Sequence, residues 1–340
     1  AIIFQNQKIN YKSLNIIITN LSTSLQNIGI KKGDKIGLLL HNSLEFIYVM
    51  LAAGKIGAAI VPLSTSLPLP SIFRSFLFTK VKFLIGWHTI LSKINKEKKL
   101  KKIYKNKLIS VGEKIPNCID FNNLICKTSK VIKKTKVINF LNNDYIISLT
   151  SGSTGHPKPI ILSQKTKLLR AQAAKKLYKL NNKDIIITAT PLEHSLSQRL
   201  IFLPLIMGAT LILLKNFNEK IWMKEVKKNK VTFSILVPTQ IEKIFNNKIN
   251  YEKNLKTLRT IVSTSAKLSQ DFKKKINLFN KCNFHECYGA SEIAIGTNLN
   301  LKKDSKKIKS VGKSCPNVSI KILNNKNSQI KKGLTGEIAV

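Results

Sequence analysis

Apolar and polar positions follow two rhythms along this chain, and the alternation between them predicts helices separated by short buried strands. From Tyr11 to Ile28 the residues Leu14, Ile17, Ile18, Leu21 and Leu25 fall three or four apart, the spacing of one helical face. A Lys-Lys-Gly-Asp turn follows, and Lys35 to Leu40 then reads as a buried strand. Asn42-Ser43 offers a cap for an apolar helix from Leu44 to Ile56, and Ala58 to Pro62 is the next strand. Short apolar runs recur at Phe83–Ile85, Asp184–Thr188, Ala209–Leu214, Val231–Leu236 and Thr257–Ser263, with helical stretches between them. Strands apolar on both faces and alternating with helices predict an α/β fold of mostly parallel sheets.

Two regions depart from this rhythm. Ser92 to Lys136 is irregular and lysine-rich, and is expected to be a surface excursion between two halves of the sheet system. After about Asn298 the pattern changes to short alternating strands, such as Val318–Leu323 and Gly336–Val340. The expected organisation is an α/β core over 1–297, made of two packed sheet-and-helix subdomains, and a partial β-rich subdomain over 298–340. Leu44 to Leu63 is the most membrane-like stretch. Glu45, Lys55 and two glycines interrupt it, so it reads as a buried helix and strand and no transmembrane segment is expected. Peripheral membrane contact is left open.

Of the 340 residues, 43% are hydrophobic, enough for a packed core. The formal net charge is +41, from 58 Lys and Arg against 17 Asp and Glu. Such a balance would ordinarily suggest nucleic acid. Arginine, however, occurs only at Arg74, Arg170, Arg199 and Arg259. Lysines spread through every region beside many Asn and Ile fit an AT-biased coding sequence at tolerant surface positions, so no specific nucleic acid is expected. The five cysteines, Cys118, Cys126, Cys282, Cys287 and Cys315, match no zinc spacing and read as thiols of a reducing compartment, the cytoplasm. His285, between Cys282 and Cys287, reads as a buried group near a strand end and not as a metal ligand.

The chemistry-bearing stretch runs from Tyr145 to Ser163. A hydrophobic strand leads into Thr150-Ser151-Gly152-Ser153-Thr154-Gly155, and Pro157-Lys158 follow. Small residues let backbone N–H groups and hydroxyls close around a polyphosphate, and Lys158 supplies a cation. The Lys-Ser/Thr pair of a Walker loop is missing.

This run resembles the phosphate loop of the adenylate-forming superfamily: acyl-CoA synthetases, peptide-synthetase adenylation domains and luciferases. The likeness holds from Thr150 through Lys158 and breaks at Pro159, where that family has glycine. Further similar blocks follow in the family's order: Gly29–Leu63, Thr188–Leu213 with His194, Phe233–Ile241, and Glu286–Ala294. The resemblance implies that Thr154 and Lys158 are catalytic, and that His194 lies at the edge of an acid pocket. It implies that Tyr288 and Gly289 meet the adenine, that Ser291 touches phosphate, and that Glu292 serves catalysis as the Mg²⁺ ligand. The adenine-side loop maps onto Ser263–Leu268, where Ser265 and Ala266 are the expected contacts and the family's glycines and proline are absent.

The implied reaction is ATP-dependent activation of a carboxylic acid to acyl-AMP, followed by thioester formation with coenzyme A. ATP, Mg²⁺ and coenzyme A are the implied cofactors and co-substrates. Coenzyme A is favoured because the Pro-Leu-Glu-His block lacks the aspartate that amino-acid-activating domains place there. A carrier-protein-loading domain and a decayed, non-catalytic nucleotide-binding relic are the alternatives. The start at Ala1 and the strand-like end at Val340 raise the expectation of a truncated chain lacking the small C-terminal domain.

Overall fold

The computed structural model describes residues 1–97, 102–126, 140–150, 158–246, 255–278, 282–331 and 333–340. The chain divides into two compact units: Ala1–Lys183 with Ala189–Asn216, and Asp184–Thr188 with Phe217–Val340.

In the first unit β1 (Ile2–Phe4) pairs antiparallel with β2 (Gln7–Ile9) and parallel with β11 (Thr210–Leu213). Its larger sheet contains β3 (Lys35–Leu39), β4 (Ala59–Pro62), β5 (Phe83–Trp87), β6 (Leu108–Val111), β7 (Ile119–Asp120), β8 (Asp144–Thr150) and β9 (Lys158–Ser163). Their order is β7-β6-β5-β3-β4-β8-β9, parallel except for the last pair. The helix Leu44–Ile56 lies between β3 and β4 in sequence. Ser43 starts it by accepting from Phe46 N at 3.3 Å, and Gly57, at φ 73°, ends it. Phe46, Ile47, Val49 and Met50 on this helix are all fully buried. Each such side chain contributes about 1.5–3 kcal/mol relative to an exposed one. The lysine-rich region after Ser92 is more than a surface excursion, because its four-residue run Leu108–Val111 is a buried strand paired with β5. Flanking lysines hide so short a run from periodicity.

Tertiary bonds then fix what precedes the chemistry-bearing segments. Tyr145 at the start of β8 donates to Met50 O at 2.9 Å, and its ring lies where a Cβ on Gly54 would come within 2.8 Å. Asn42 does not cap the helix. Buried, it donates to Thr190 O at 3.1 Å and Leu214 O at 3.0 Å, and accepts from Leu192 N at 2.8 Å. From the other side Gln198 donates to Leu192 O and Glu193 O at 3.2 and 3.3 Å, and itself accepts from Lys167 Nζ at 2.5 Å. Lys167 is buried, which lowers its pKa well below the ordinary lysine value, with Arg170 and Arg199 adding to the shift.

The second unit orders β10 (Ile185–Thr188), β12 (Phe233–Leu236), β13 (Thr260–Ser263) and β14 (Asn283–Tyr288) in parallel. β15 (Thr297–Asn300) and β16 (Lys313–Ser314) continue the sheet antiparallel. β17 (Lys321–Leu323) and β18 (Glu337–Ala339) form a separate hairpin. The residues from 298 onward therefore split between an extension of the main sheet and a hairpin of their own. Trp222, Val226, Phe233 and Ile261 are fully buried in this unit. At the N-terminal ends of its strands Arg259 pairs with buried Asp184, which also accepts from Thr232 Oγ1 at 2.7 Å. Among its turns, Ser265 holds φ at 75°, a left-handed conformation that favours glycine.

Two outcomes follow from these placements. The folded state favours neutral Lys167, so the unfolded chain binds the extra proton and this residue's contribution to stability improves as pH rises toward the ordinary value of 10.5. Thermal melts of Lys167→Met should show its stability relative to wild type declining steadily between neutral pH and that value; a constant difference would mean that Lys167 titrates normally. Ser265→Gly should raise stability by about 0.5–1 kcal/mol through relief of the left-handed backbone, read from chemical denaturation midpoints.

Candidate active site

In the first unit Thr150 ends β8 and pairs across the hairpin with Lys158, which opens β9. The expected contacts Ser151, Gly152, Ser153, Thr154 and Gly155 lie outside the described residues. Lys158 is exposed. Pro159, the departure from the family's glycine, sits opposite Leu149 in β9, the edge strand of its sheet. An edge strand tolerates a residue without an N–H, so proline is compatible with the hairpin that frames the loop.

His194 is exposed and immediately precedes the helix Ser195–Met207. The turn that carries it is the one gripped by Asn42 and Gln198, with Lys167 behind Gln198. Sequence reading missed these three positioning residues. Lys167 and Gln198 lie on helices and Asn42 in the bend before one, and a polar residue at such positions does not alone tell a buried anchor from an exposed side chain.

In the second unit Ser265 and Ala266 lie exposed in the turn after β13. Tyr288 is the last residue of β14 and is 36% exposed, and Gly289, Ser291 and Glu292 follow it. β13 and β14 are parallel neighbours in the register Ser263↔Glu286. Both turns therefore leave the same C-terminal edge, the end of an α/β sheet where ligands bind. The structure thus brings Ser265, Ala266, Tyr288, Gly289, Ser291 and Glu292 to one edge of this unit, whereas Thr150, Lys158 and His194 belong to the first.

The turn after β14 is tight. A Cβ at Gly289 would lie 1.9 Å from Ala294 O, so only glycine fits there. Gly296 N donates to Tyr288 O and Ala294 N to Ala290 O, each at 2.8 Å. This turn presents the exposed carboxylate of Glu292 next to the half-buried hydroxyl-bearing Ser291. Hard oxygen donors of this kind fit Mg²⁺, which takes one or two carboxylates and fills its remaining positions with phosphate oxygens and water.

Behind these turns lies a buried ion pair absent from the sequence reading. Lys273, on the helix Gln270–Leu278, contacts Glu286 of β14, and each side chain is 1% exposed. The other oxygen of Glu286 accepts from Leu268 N at 2.9 Å. Nearby, His285 Nδ1 and Cys287 Sγ lie 3.1 and 3.2 Å from Asn298 Oδ1. Burial lowers the His285 pKa and pushes the Cys282 thiol up to about 12.

A cavity of about 520 Å³ opens in the first unit, lined by Lys35, Lys80, Lys82 and Lys107, with Asp34 bonded to Lys82 at 2.9 Å. It lies at the N-terminal ends of β3, β5 and β6. The β8–β9 pair that brackets Thr150 and Lys158 turns at the C-terminal end of β8 in the same sheet, so this cavity lies at the opposite end from those residues.

Comparison with known proteins places the chain in a family. The chain is 23% identical over 352 residues to an indoleacetate–CoA ligase of Aromatoleum aromaticum, covering 100% of this chain and 66% of that protein. It is 24% identical over 345 residues to a 4-coumarate–CoA ligase of Petroselinum crispum, covering 97% and 62%. The chain thus spans about two thirds of the length of these relatives. Its fold matches an amide bond synthetase of Marinactinospora thermotolerans with a TM-score of 0.88 at 19% identity, over 99% of this chain and 67% of that one. The family model described as AMP-binding enzyme matches residues 1–340. The chain belongs to the AMP-binding enzyme family.

Proposed function

We propose that this chain carries the nucleotide- and acid-binding part of an ATP-dependent acid–thiol ligase that forms acyl-AMP and then a coenzyme A thioester. The observation that carries this reading is the shared edge of β13 and β14, where the Ser265–Ala266 turn and the Tyr288–Glu292 turn emerge side by side. Supporting it, two relatives described above are an indoleacetate–CoA ligase and a 4-coumarate–CoA ligase. The acid of this chain is not assigned beyond a carboxylic acid.

In the proposed first step a carboxylate oxygen attacks the α-phosphorus of ATP, and the bond to the pyrophosphate leaving group breaks. In the second, the coenzyme A thiol loses its proton, its sulfur attacks the acyl carbon, and AMP departs. Lys158 and the loop it closes neutralise charge on the phosphates and fix the line of displacement. Thr154 belongs to that loop. Tyr288 offers a flat exposed face to the adenine, and Ser265 and Ala266 border it. His194 orients the acid, on a turn that Asn42 and Gln198 hold still. Glu292, with Ser291 beside it, would hold Mg²⁺, which when bound supplies charge stabilisation to the phosphates. Cytoplasmic residence fits a chain in which, among the described residues, no disulfide forms and no helix is long and apolar enough to cross a membrane. The lysine surplus is assigned to surface composition, with no nucleic acid as partner.

The test is carboxylate-dependent exchange of pyrophosphate into ATP by the purified protein, followed by thioester assay with coenzyme A. Exchange without any coenzyme A thioester would shift the acceptor to a carrier protein. Nucleotide binding without exchange would identify a decayed relic. Lys158→Ala should slow exchange by on the order of a hundredfold, and a wild-type rate would remove Lys158 from the site. Glu292→Gln keeps the shape and removes the charge, so its defect should shrink as Mg²⁺ is raised; a defect independent of Mg²⁺ would leave Glu292 a structural residue.

A further inference from the structure

We infer that the buried Lys273–Glu286 pair is the positioning device of the nucleotide-facing edge of the second unit. The inference rests on the proposed function above. Lys273 Nζ donates to Ile308 O at 3.0 Å and Ser310 O at 3.1 Å, and its charge is paired with Oε2 of Glu286. The other carboxylate oxygen takes the backbone N–H of Leu268. Four segments therefore converge on one ion pair: the turn after β13, the helix Gln270–Leu278, β14 two residues before Tyr288, and the turn around Ser310. Leu268 is fully buried and closes the turn whose exposed members are Ser265, Ala266 and Lys267. Tyr288 on one side and Ser265–Ala266 on the other are thus tied to a single carboxylate.

Net stability is a poor reason for such a pair. Two buried charges lose so much hydration that well-packed apolar residues of similar size commonly hold a fold equally well. What an apolar pair lacks is an acceptor for the Leu268 N–H. Without it the turn bearing Ser265 and Ala266 loses its anchor to β14.

This difference separates positioning from simple structural support. Two double variants are compared with wild type: Glu286→Met/Lys273→Met, and Glu286→Gln/Lys273→Met. Both remove the charges, and only the glutamine keeps a carbonyl oxygen for Leu268. The readouts are melting temperature, amide hydrogen exchange at Leu268, and affinity for a fluorescent ATP analogue displaced by ATP. The Met/Met protein should melt near wild type, exchange Leu268 faster and bind the analogue roughly tenfold more weakly. The Gln/Met protein should recover most of that affinity. Equal affinity in the two doubles would overturn the inference and leave the pair a structural one. A wild type with no nucleotide affinity would instead overturn the proposed function, and with it this role. Should the Met/Met protein not fold, wild-type exchange decides. Leu268 must then be protected like the amides of β13, and exchange as fast as in the exposed turn would overturn the inference.

Discussion

A strand buried on both faces has no wet side on which to carry a charged group, and this constraint orders the described sheets. β3, β4, β5 and β6 in the first unit, and β12 and β13 in the second, present almost nothing but buried residues. Chemistry is thereby pushed to the strand ends, where the chain must turn and backbone N–H groups lose their ladder partners. Because the strands run parallel, their C-terminal ends gather along one edge in each unit. The hairpin framing Thr150 and Lys158 and the paired turns after β13 and β14 are both products of that rule.

Among the polar groups that enter the interior, five tie an exposed turn to the framework. Asn42 fills its amide with three backbone partners and holds the turn before His194. Gln198 holds the same turn from its helix, and Lys167 holds Gln198. Glu286 holds the turn after β13, and Lys273 holds Glu286. The arrangement has the same logic in both units: an exposed turn, a buried amide or carboxylate gripping its backbone, and a buried lysine behind that grip. Leaving any of these inner groups unpaired would cost about 1–3 kcal/mol, more for the charged ones. The turns are therefore held by groups whose own bonding is hard to give up.

Elements with local signals were legible in the sequence. The helix Leu44–Ile56 matches its expected span end to end, because Ser43 and Gly57 mark its limits and its apolar run has no competing reading. The run at Thr150–Lys158 stood out because hydroxyl and glycine residues cluster there between two apolar strands. β6 was hidden because a four-residue run with three apolar positions carries too little periodicity against a lysine background. The inner anchors were hidden for another reason: their partners are distant in sequence. Asn42 finds its acceptors 148 and 172 residues away, and nothing local to Asn42 announces them. The two departures from the family pattern also differ in kind. Pro159 is accommodated by an edge strand, whereas Ser265 keeps a backbone shape that glycine would hold with less strain.

The charge imbalance gives the buried acids particular weight. With 58 basic and 17 acidic residues, most lysines have no carboxylate to pair with and must remain in water. Solvent and counter-ions screen them there, so a surplus spread over the surface costs little per residue. An acid taken inside is different, since it must bring a cation with it or lose its charge. Asp184 and Glu286, both almost fully buried, do bring one: Arg259 for the first and Lys273 for the second. The first pair sits at the N-terminal ends of the second unit's strands and the second toward their C-terminal ends. Glu292 is exposed, and its proposed role requires its turn to hold the carboxylate toward the ligand. The lack of room for a Cβ at Gly289, and the backbone bonds that close the turn, fix the backbone from which that side chain projects.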